Sequence, residues 1–328
     1  MKFIYALVFP LFLLLAVSPA RAEDDEHTLK YDGYRREYLV HTPPGYSRER
    51  KLPVILNFHG GGGSIEVAEE DTKMSETADK HGFIVVYPEG IGWWKFHVWN
   101  GGNCCGKAVD KNVDDVGFIS SLIDVLAKDY NIDTKRVYAT GISNGAQISY
   151  RLACELSDKI TAIAPVASQP VLDFSQCKMS RPVPVLHFHG TEDHCARYEG
   201  GENCGGCFAN FFHAFYIPMK EKPWPCESVK KSIDTIKGMY GCSRESVVTY
   251  HHGQVTCESA KGCMQGANVT LCTIKGGGHT WPDAGVPKMC RRWPDGSLCR
   301  NYFEQVGSTT HDINANEAMW AFFQRYSM

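Results

Sequence analysis

The chain has 328 residues, with 34 Lys and Arg against 37 Asp and Glu and a formal charge of −3. It has no basic field to hold a polyanion, which excludes a dedicated nucleic-acid binder. With 43% hydrophobic, 12% aromatic and 22% charged residues, wholesale disorder and fibrous repeats are excluded as well.

Lys2 precedes an apolar run from Phe3 to Val17, helix-breaking Ser18-Pro19, and Ala20-Arg21-Ala22. That pattern predicts a signal peptide over residues 1–22, cut after Ala22, and a secreted or periplasmic protein. The run is shorter than the roughly 20 apolar residues of a spanning helix, so no stable membrane anchor is expected. Residues 23–328 are then read as one domain that opens on a solvated acidic end, Glu23-Asp24-Asp25-Glu26.

Arg36 to Thr42 reads as a strand stopped by Pro43-Pro44-Gly45. Pro53 to Phe58 and Phe83 to Tyr87 are short continuous apolar runs, as in strands buried on both faces. Between them Ala68 to His81 is polar enough for a covering helix. Val116, Ile119, Leu122, Ile123, Leu126 and Tyr130 recur at helical spacing behind Asp114 or Asp115 as cap. Arg136 to Thr140 is a strand running into Gly141-Ile142-Ser143-Asn144-Gly145, and Ile148, Leu152 and Leu156 continue as a helix face. Thr161 to Ala167, Val183 to Phe188 and Val269 to Ile274 supply further strands. A last amphipathic helix, capped near Asp312 or Asn314, buries Ala315, Ala318, Met319, Phe322 and Phe323. Strands alternating with helices predict an α/β fold with a mostly parallel central sheet covered on both faces. Chemistry in such sheets sits at the carboxyl ends of the strands.

Fourteen cysteines in an exported chain read as disulfides. Eight fall between Cys195 and Cys272, which predicts a disulfide-rich insertion at about 195–272 whose pairing the sequence leaves open. Zinc is the alternative there, since Cys204-Gly-Gly-Cys207 lies close to Cys195, His194 and His213.

Gly141-Ile-Ser143-Asn-Gly145 between strand and helix matches the sharp turn that exposes a nucleophilic serine. Such a serine needs a base to take its proton and an acid to orient that base, in the chain order Ser, acid, His. His189-Gly-Thr-Glu192-Asp193 follows a strand and offers Asp193, with Glu192 as runner-up. His279 follows Gly276-Gly277-Gly278 and is the expected base, with His311 and His189 competing. His59-Gly60-Gly61-Gly62 predicts backbone donors for an oxyanion from Gly61 or Gly62, joined by the N–H of Asn144. The glycine loop lacks the G-K-[ST] ending of a phosphate cradle. Trp93, Trp94, Phe96 and Trp99 crowd one loop and Trp281 follows His279. The tryptophans are read either as substrate-binding rings or as packing under a disulfide-rich cap. Asn268-Val269-Thr270 is a glycosylation acceptor where the host glycosylates.

Several of these motifs, taken in order, resemble the secreted polyhydroxybutyrate depolymerase and feruloyl esterase family of α/β-hydrolases. They are Trp99-Asn-Gly-Gly-Asn-Cys-Cys-Gly106, Val113-Asp-Asp-Val-Gly-Phe-Ile119, Gly141 to Gly145 with the segment to Ser168, His189 to Asp193, and Gly276-Gly-Gly-His-Thr-Trp-Pro282. The resemblance implies a Ser143, Asp193 and His279 triad and hydrolysis of carboxylic esters with no metal or cofactor. Ala146 and Asp283 stand where glycine is usual in the family, which bears on substrate fit rather than on the chemistry. Without an appended polyester-binding domain, the expected substrate is a feruloylated polysaccharide, with a polyester oligomer as the alternative. A non-catalytic polymer- or glycan-binding protein on the same fold is the reading from another class.

Overall fold

The computed structural model describes residues 21–93, 96–205, 207, 224–285 and 287–328. Most of the predicted signal segment, together with Trp94 and His213, therefore lies outside the described residues.

The elements in chain order are β1 (Glu23–Tyr31), β2 (Tyr34–Thr42), β3 (Val54–Phe58), α1 (Ile65–Thr72), α2 (Met74–His81), β4 (Ile84–Pro88), β5 (Ile91–Trp93), β6 (Phe96–Val98), α3 (Gly106–Asp110) and α4 (Asp115–Asp129). There follow β7 (Val137–Ile142), α5 (Asn144–Glu155), β8 (Ala162–Val166), β9 (Val185–Gly190), β10 (Gly201–Cys204), β11 (Trp224–Cys226) and α6 (Val229–Met239). The chain closes with β12 (Ser246–His252), β13 (Val255–Ala260), β14 (Val269–Ile274), α7 (Lys288–Arg291), α8 (Ser297–Val306) and α9 (Ala315–Phe323).

Among the described residues one sheet has the order β1-β2-β4-β3-β7-β8-β9-β14-β13-β12. It is parallel from β4 to β14 and antiparallel at both ends. Alternate residues of its central strands face opposite ways. Val54 and Leu56 pack with α4, α5 and α6, whereas Ile55 packs with α1, α2 and α9. That division is why those strands read as continuous apolar runs: both faces are buried.

Two expectations change. Glu23 to Glu26 are solvated but form no free end, because they pair with β2 from Glu23↔Thr42 onward. The hairpin turn is Asp32-Gly33, both with positive φ, as a two-residue turn between twisted strands requires. The single helix expected over Ala68 to His81 is two, broken where Lys73 adopts φ 53° and closes α1 on the Glu69 carbonyl. Within the disulfide-rich stretch at about 195–272, β12 and β13 extend the main sheet from β14.

All fourteen cysteines are paired: 104–105, 154–177, 195–207, 204–226, 242–263, 257–272 and 290–299. The sulfurs of the zinc alternative are therefore used in Cys195–Cys207 and Cys204–Cys226, and a disulfide sulfur is not a thiolate ligand.

The helix α4 is capped by Asp114, whose carboxylate accepts the Gly117 N–H. One residue on, Asp115 is fully buried and pairs with Arg36 of β2 at 2.7 Å, while its second oxygen accepts the Asn100 N–H. The Arg36 guanidinium also lies over the Phe118 ring. Asp115→Ala would leave that guanidinium charged and buried without its anion. A loss of about 3–5 kcal/mol is expected in denaturant unfolding.

Candidate active site

The parallel strands deliver the chemically active residues to one edge. His59 follows β3, Ser143 follows β7, Thr191 follows β9 and Lys275 follows β14, with Phe58 in register with Gly141 and Ile142 with Val166. Ser143 is held at φ 58° between β7 and α5, and its N–H donates to the Val166 carbonyl. A non-glycine residue there is strained. The flanking glycines explain how the turn closes: a Cβ at Gly141 would sit 2.5 Å from the Phe58 carbonyl oxygen, and one at Gly145 only 2.2 Å from it. Ser143 is consequently half-buried at the start of α5.

Asp193 and His279 meet with Nδ1 to Oδ2 at 2.8 Å, both buried. The loops carrying them touch through glycines, since a Cβ at Gly190 would lie 2.1 Å from the Gly277 carbonyl oxygen and one at Gly278 the same distance from that of Val306. The other oxygen of Asp193 accepts the N–H groups of Cys195 and Ala196 at 2.8 and 2.7 Å. Burial by itself would raise the Asp193 pKa. The charge of His279 and the hydrogen bonds from His189 and His279 outweigh it and hold the carboxyl well below its usual range. Nε2 of His279 is buried and has no hydrogen-bond partner among the described residues, so this nitrogen is left to act as an acceptor.

The competing residues are placed elsewhere. Glu192 is exposed, and His311 is a surface residue bonded to Asp283. His189 Nε2 lies 3.3 Å from the same Oδ2 of Asp193 and bonds the Ala196 carbonyl at 2.6 Å, so it orders the loop. Behind it runs a buried chain absent from the sequence reading. Tyr150 Oη lies 2.9 Å from His187 Nδ1, and His187 Nε2 lies 3.0 Å from His189 Nδ1. Burial, then the neighbouring His189, push the His187 pKa well below its ordinary value, so the ring is neutral. The alternation His187-Phe188-His189 was its visible signal, because residues two apart on a strand share a face.

In the glycine loop, positions that a Cβ would occupy at Gly60 and Gly61 lie 3.6 Å from Ser143 Cβ and 3.5 Å from Asn144 Cβ. Gly62 is corrected as an oxyanion donor, because its N–H already donates to the His97 carbonyl at 2.8 Å. The short β5–β6 hairpin braces the loop through that bond and through His97 N–H to the Gly63 carbonyl. Gly61 and Asn144 remain. Asn144 supplies the N–H that opens α5, one of the four donors a helix start leaves unpaired.

Two of the four tryptophans are corrected as substrate-binding rings. Trp99 is 0% exposed, edge-on to Phe58 and tilted against His59, and its indole N–H donates to the His59 carbonyl. Trp281 is 4% exposed and donates to Asn316. Neither presents a face to a ligand. Trp93, by contrast, is 77% exposed, opposite Phe96 on the hairpin that braces the glycine loop. Among the described residues no helix is long and apolar enough to cross a membrane.

Residues 36–180 match the model of the esterase PHB depolymerase family. The chain is 31% identical over 251 residues to feruloyl esterase B of Piromyces equi, covering 76% of this chain and 43% of the relative. It is 32% identical over 189 residues to the bifunctional acetylxylan esterase/xylanase XynS20E of Neocallimastix patriciarum, covering 57% and 25% respectively. The chain thus spans less than half the length of both relatives. Among solved structures, the acetyl xylan esterase from Aspergillus awamori superposes with a TM-score of 0.54 at 12% identity, over 80% of this chain and 95% of that one. That likeness concerns the fold alone. Residues 36–180 thus match the esterase PHB depolymerase family, and the sheet order with the serine turn after β7 is that of an α/β-hydrolase fold.

Proposed function

We propose that the protein is an exported carboxylic-ester hydrolase whose triad is Ser143, His279 and Asp193. The observation that carries this reading is the buried 2.8 Å pair of Asp193 and His279, at the same sheet edge as a serine held at positive φ. Ser143 Oγ attacks the ester carbonyl carbon while its proton passes to His279 Nε2. The N–H groups of Gly61 and Asn144 take the charge that develops on the carbonyl oxygen. His279 returns the proton to the departing alcohol, and water attacks the acyl-serine by the same route in reverse. Asp193 keeps the proton of His279 on Nδ1 and stabilises the imidazolium. The seven disulfides support export, and with it cleavage of the segment 1–22.

The names of the two relatives favour esters of plant polysaccharides, and exposed Trp93 offers a flat ring to an aromatic acyl group. The family match over residues 36–180 favours a second substrate class, hydroxybutyrate oligomers. Hydrolysis of methyl ferulate, short acyl nitrophenyl esters and hydroxybutyrate oligomers by the oxidised protein separates the two. Preferred release of ferulate supports the first reading and preferred cleavage of the oligomers the second. Activity on none of them, together with no labelling by a fluorophosphonate, would leave only the non-catalytic binding protein.

Because the Asp193 carboxyl titrates well below its usual range, it stays anionic throughout the accessible pH range. The acid limb of kcat/KM therefore reports the general base and not Asp193. A profile flat down to the carboxylate range would show that another group is the base.

A further inference from the structure

The catalytic steps leave unused a buried polar assembly behind the Asn144 N–H. The Asn144 carboxamide is paired with the peptide groups of Trp99 at two points: Oδ1 accepts the Trp99 N–H at 2.7 Å and Nδ2 donates to the Trp99 carbonyl at 3.1 Å. The same Nδ2 donates to Gln147 Oε1 at 3.1 Å, which occupies its second hydrogen. Gln147, 2% exposed, then donates through Nε2 to Ser168 Oγ at 3.0 Å, and that hydroxyl donates to the Gln169 carbonyl.

The other wall is the loop that follows Trp99. The N–H groups of Gly101 and Cys105 both donate to the Trp99 carbonyl, at 3.1 and 3.0 Å, and Gly101 also donates to the Cys104 carbonyl. The adjacent Cys104 and Cys105 are joined by a disulfide at the end of this loop, with Cys105 Sγ lying 3.5 Å from Gln147 Oε1. The loop is pressed on α5: a Cβ at Gly101 would be 2.7 Å from that of Gln147.

We propose that Gln147 and the Cys104–Cys105 disulfide are positioning residues of the oxyanion hole, which rests on the serine-esterase reading above. Asn144 follows a residue held at φ 58°, so its peptide plane is under strain and needs an outside constraint. The only part of Asn144 that can be gripped without covering its N–H is the carboxamide, and Trp99 and Gln147 grip it from two sides. Without Gln147 one buried N–H of that carboxamide has no acceptor, and the amide is held from the Trp99 side alone. Without the disulfide the Cys104–Cys105 pair, whose carbonyl accepts from Gly101 and whose N–H donates to the Trp99 carbonyl, loses its mutual constraint. A donor must sit within about 0.5 Å of its working position to stabilise the oxyanion. Loosening the grip therefore acts on the transition state and leaves substrate binding in place.

The test uses Gln147→Met, which keeps length without hydrogen bonds, and the double variant Cys104→Ala/Cys105→Ala. For each, kcat, KM and affinity for an alkyl boronic acid, which forms a tetrahedral adduct on the serine, are measured beside the melting temperature. The expected result is a 10- to 100-fold fall in kcat, below the 100- to 1,000-fold typical of losing a donor outright, with KM within twofold. Boronic acid affinity falls by a similar factor. Folded variants with wild-type kcat and boronic acid affinity overturn the proposal, and so does a fall confined to KM. The two variants perturb different sides of the grip, so if one fails to fold the other decides. Ser143→Ala run in parallel separates the claims. If it hydrolyses esters like wild type the esterase reading fails, and if it alone is inactive only the positioning role does.

Discussion

Exchanging Ser143 for alanine is expected to lower turnover of carboxylic esters by about a millionfold, the scale on which removal of a triad serine acts elsewhere. What remains would come from the oxyanion donors Gly61 and Asn144 and from binding. The melting temperature should hardly move, because alanine carries the same Cβ into the strained φ of 58° and Ser143 Oγ makes no hydrogen bond among the described residues. Ser143→Gly separates strain from chemistry. It should be equally inactive but about 1 kcal/mol more stable, since glycine occupies positive φ without penalty. Kinetics on a nitrophenyl ester together with denaturant unfolding of the three proteins check both halves. Ester hydrolysis undiminished in Ser143→Ala would move the nucleophile elsewhere.

Asp193→Asn should cost about ten-thousandfold in kcat with little loss of substrate binding. Two backbone N–H groups, from Cys195 and Ala196, converge on Oδ1, so the carboxamide oxygen of asparagine takes that place. Its NH2 group then faces His279 Nδ1, donor against donor. His279 must shift its proton to Nε2, the atom that has to accept the serine proton. The same substitution changes acid stability. The folded-state pKa of Asp193 is depressed, so its contribution is present above the ordinary carboxylate pKa and is lost as pH falls toward the folded value. Acid unfolding followed by circular dichroism should show wild type ahead at neutral pH and the gap closing below the ordinary carboxylate range. A gap independent of pH would mean that the carboxylate charge is not what stabilises the loop.

Much of this site was legible in the sequence because glycine and strand patterns are local signals. Continuous apolar runs marked β3 and β4, and short buried-type segments marked β7, β8, β9 and β14, since both sheet faces are covered. The same criterion passed over β1, β12 and β13. Those strands lie at or near the two ends of the sheet, and β1 and β12 are largely exposed, so their residues carry no apolar run to read. The Asp32-Gly33 pair was the available cue for β1.

Disulfide pairing lay beyond local pattern, and so did the burial that separates the chosen Asp193 from its runner-up. Asp193 and Glu192 are adjacent in sequence, yet one is buried against His279 and the other points to solvent. The aromatic residues show the limit most clearly. Trp93 and Trp99 come from one short segment of one composition, but Trp99 is interior because the peptide groups beside it pair with the Asn144 carboxamide, whereas Trp93 stands at the tip of a hairpin.

The sequence by itself determined which residue types stand at strand ends: the serine between two glycines, the histidine after three, and the acid between them in chain order. It did so because those turns need particular backbones, and backbone need is written within a few residues. Only the tertiary structure decided which donors are free. Gly62 is lost to His97 and Asn144 is held by Trp99 and Gln147, because a hydrogen bond between strands and loops far apart in the chain depends on packing that no local pattern encodes.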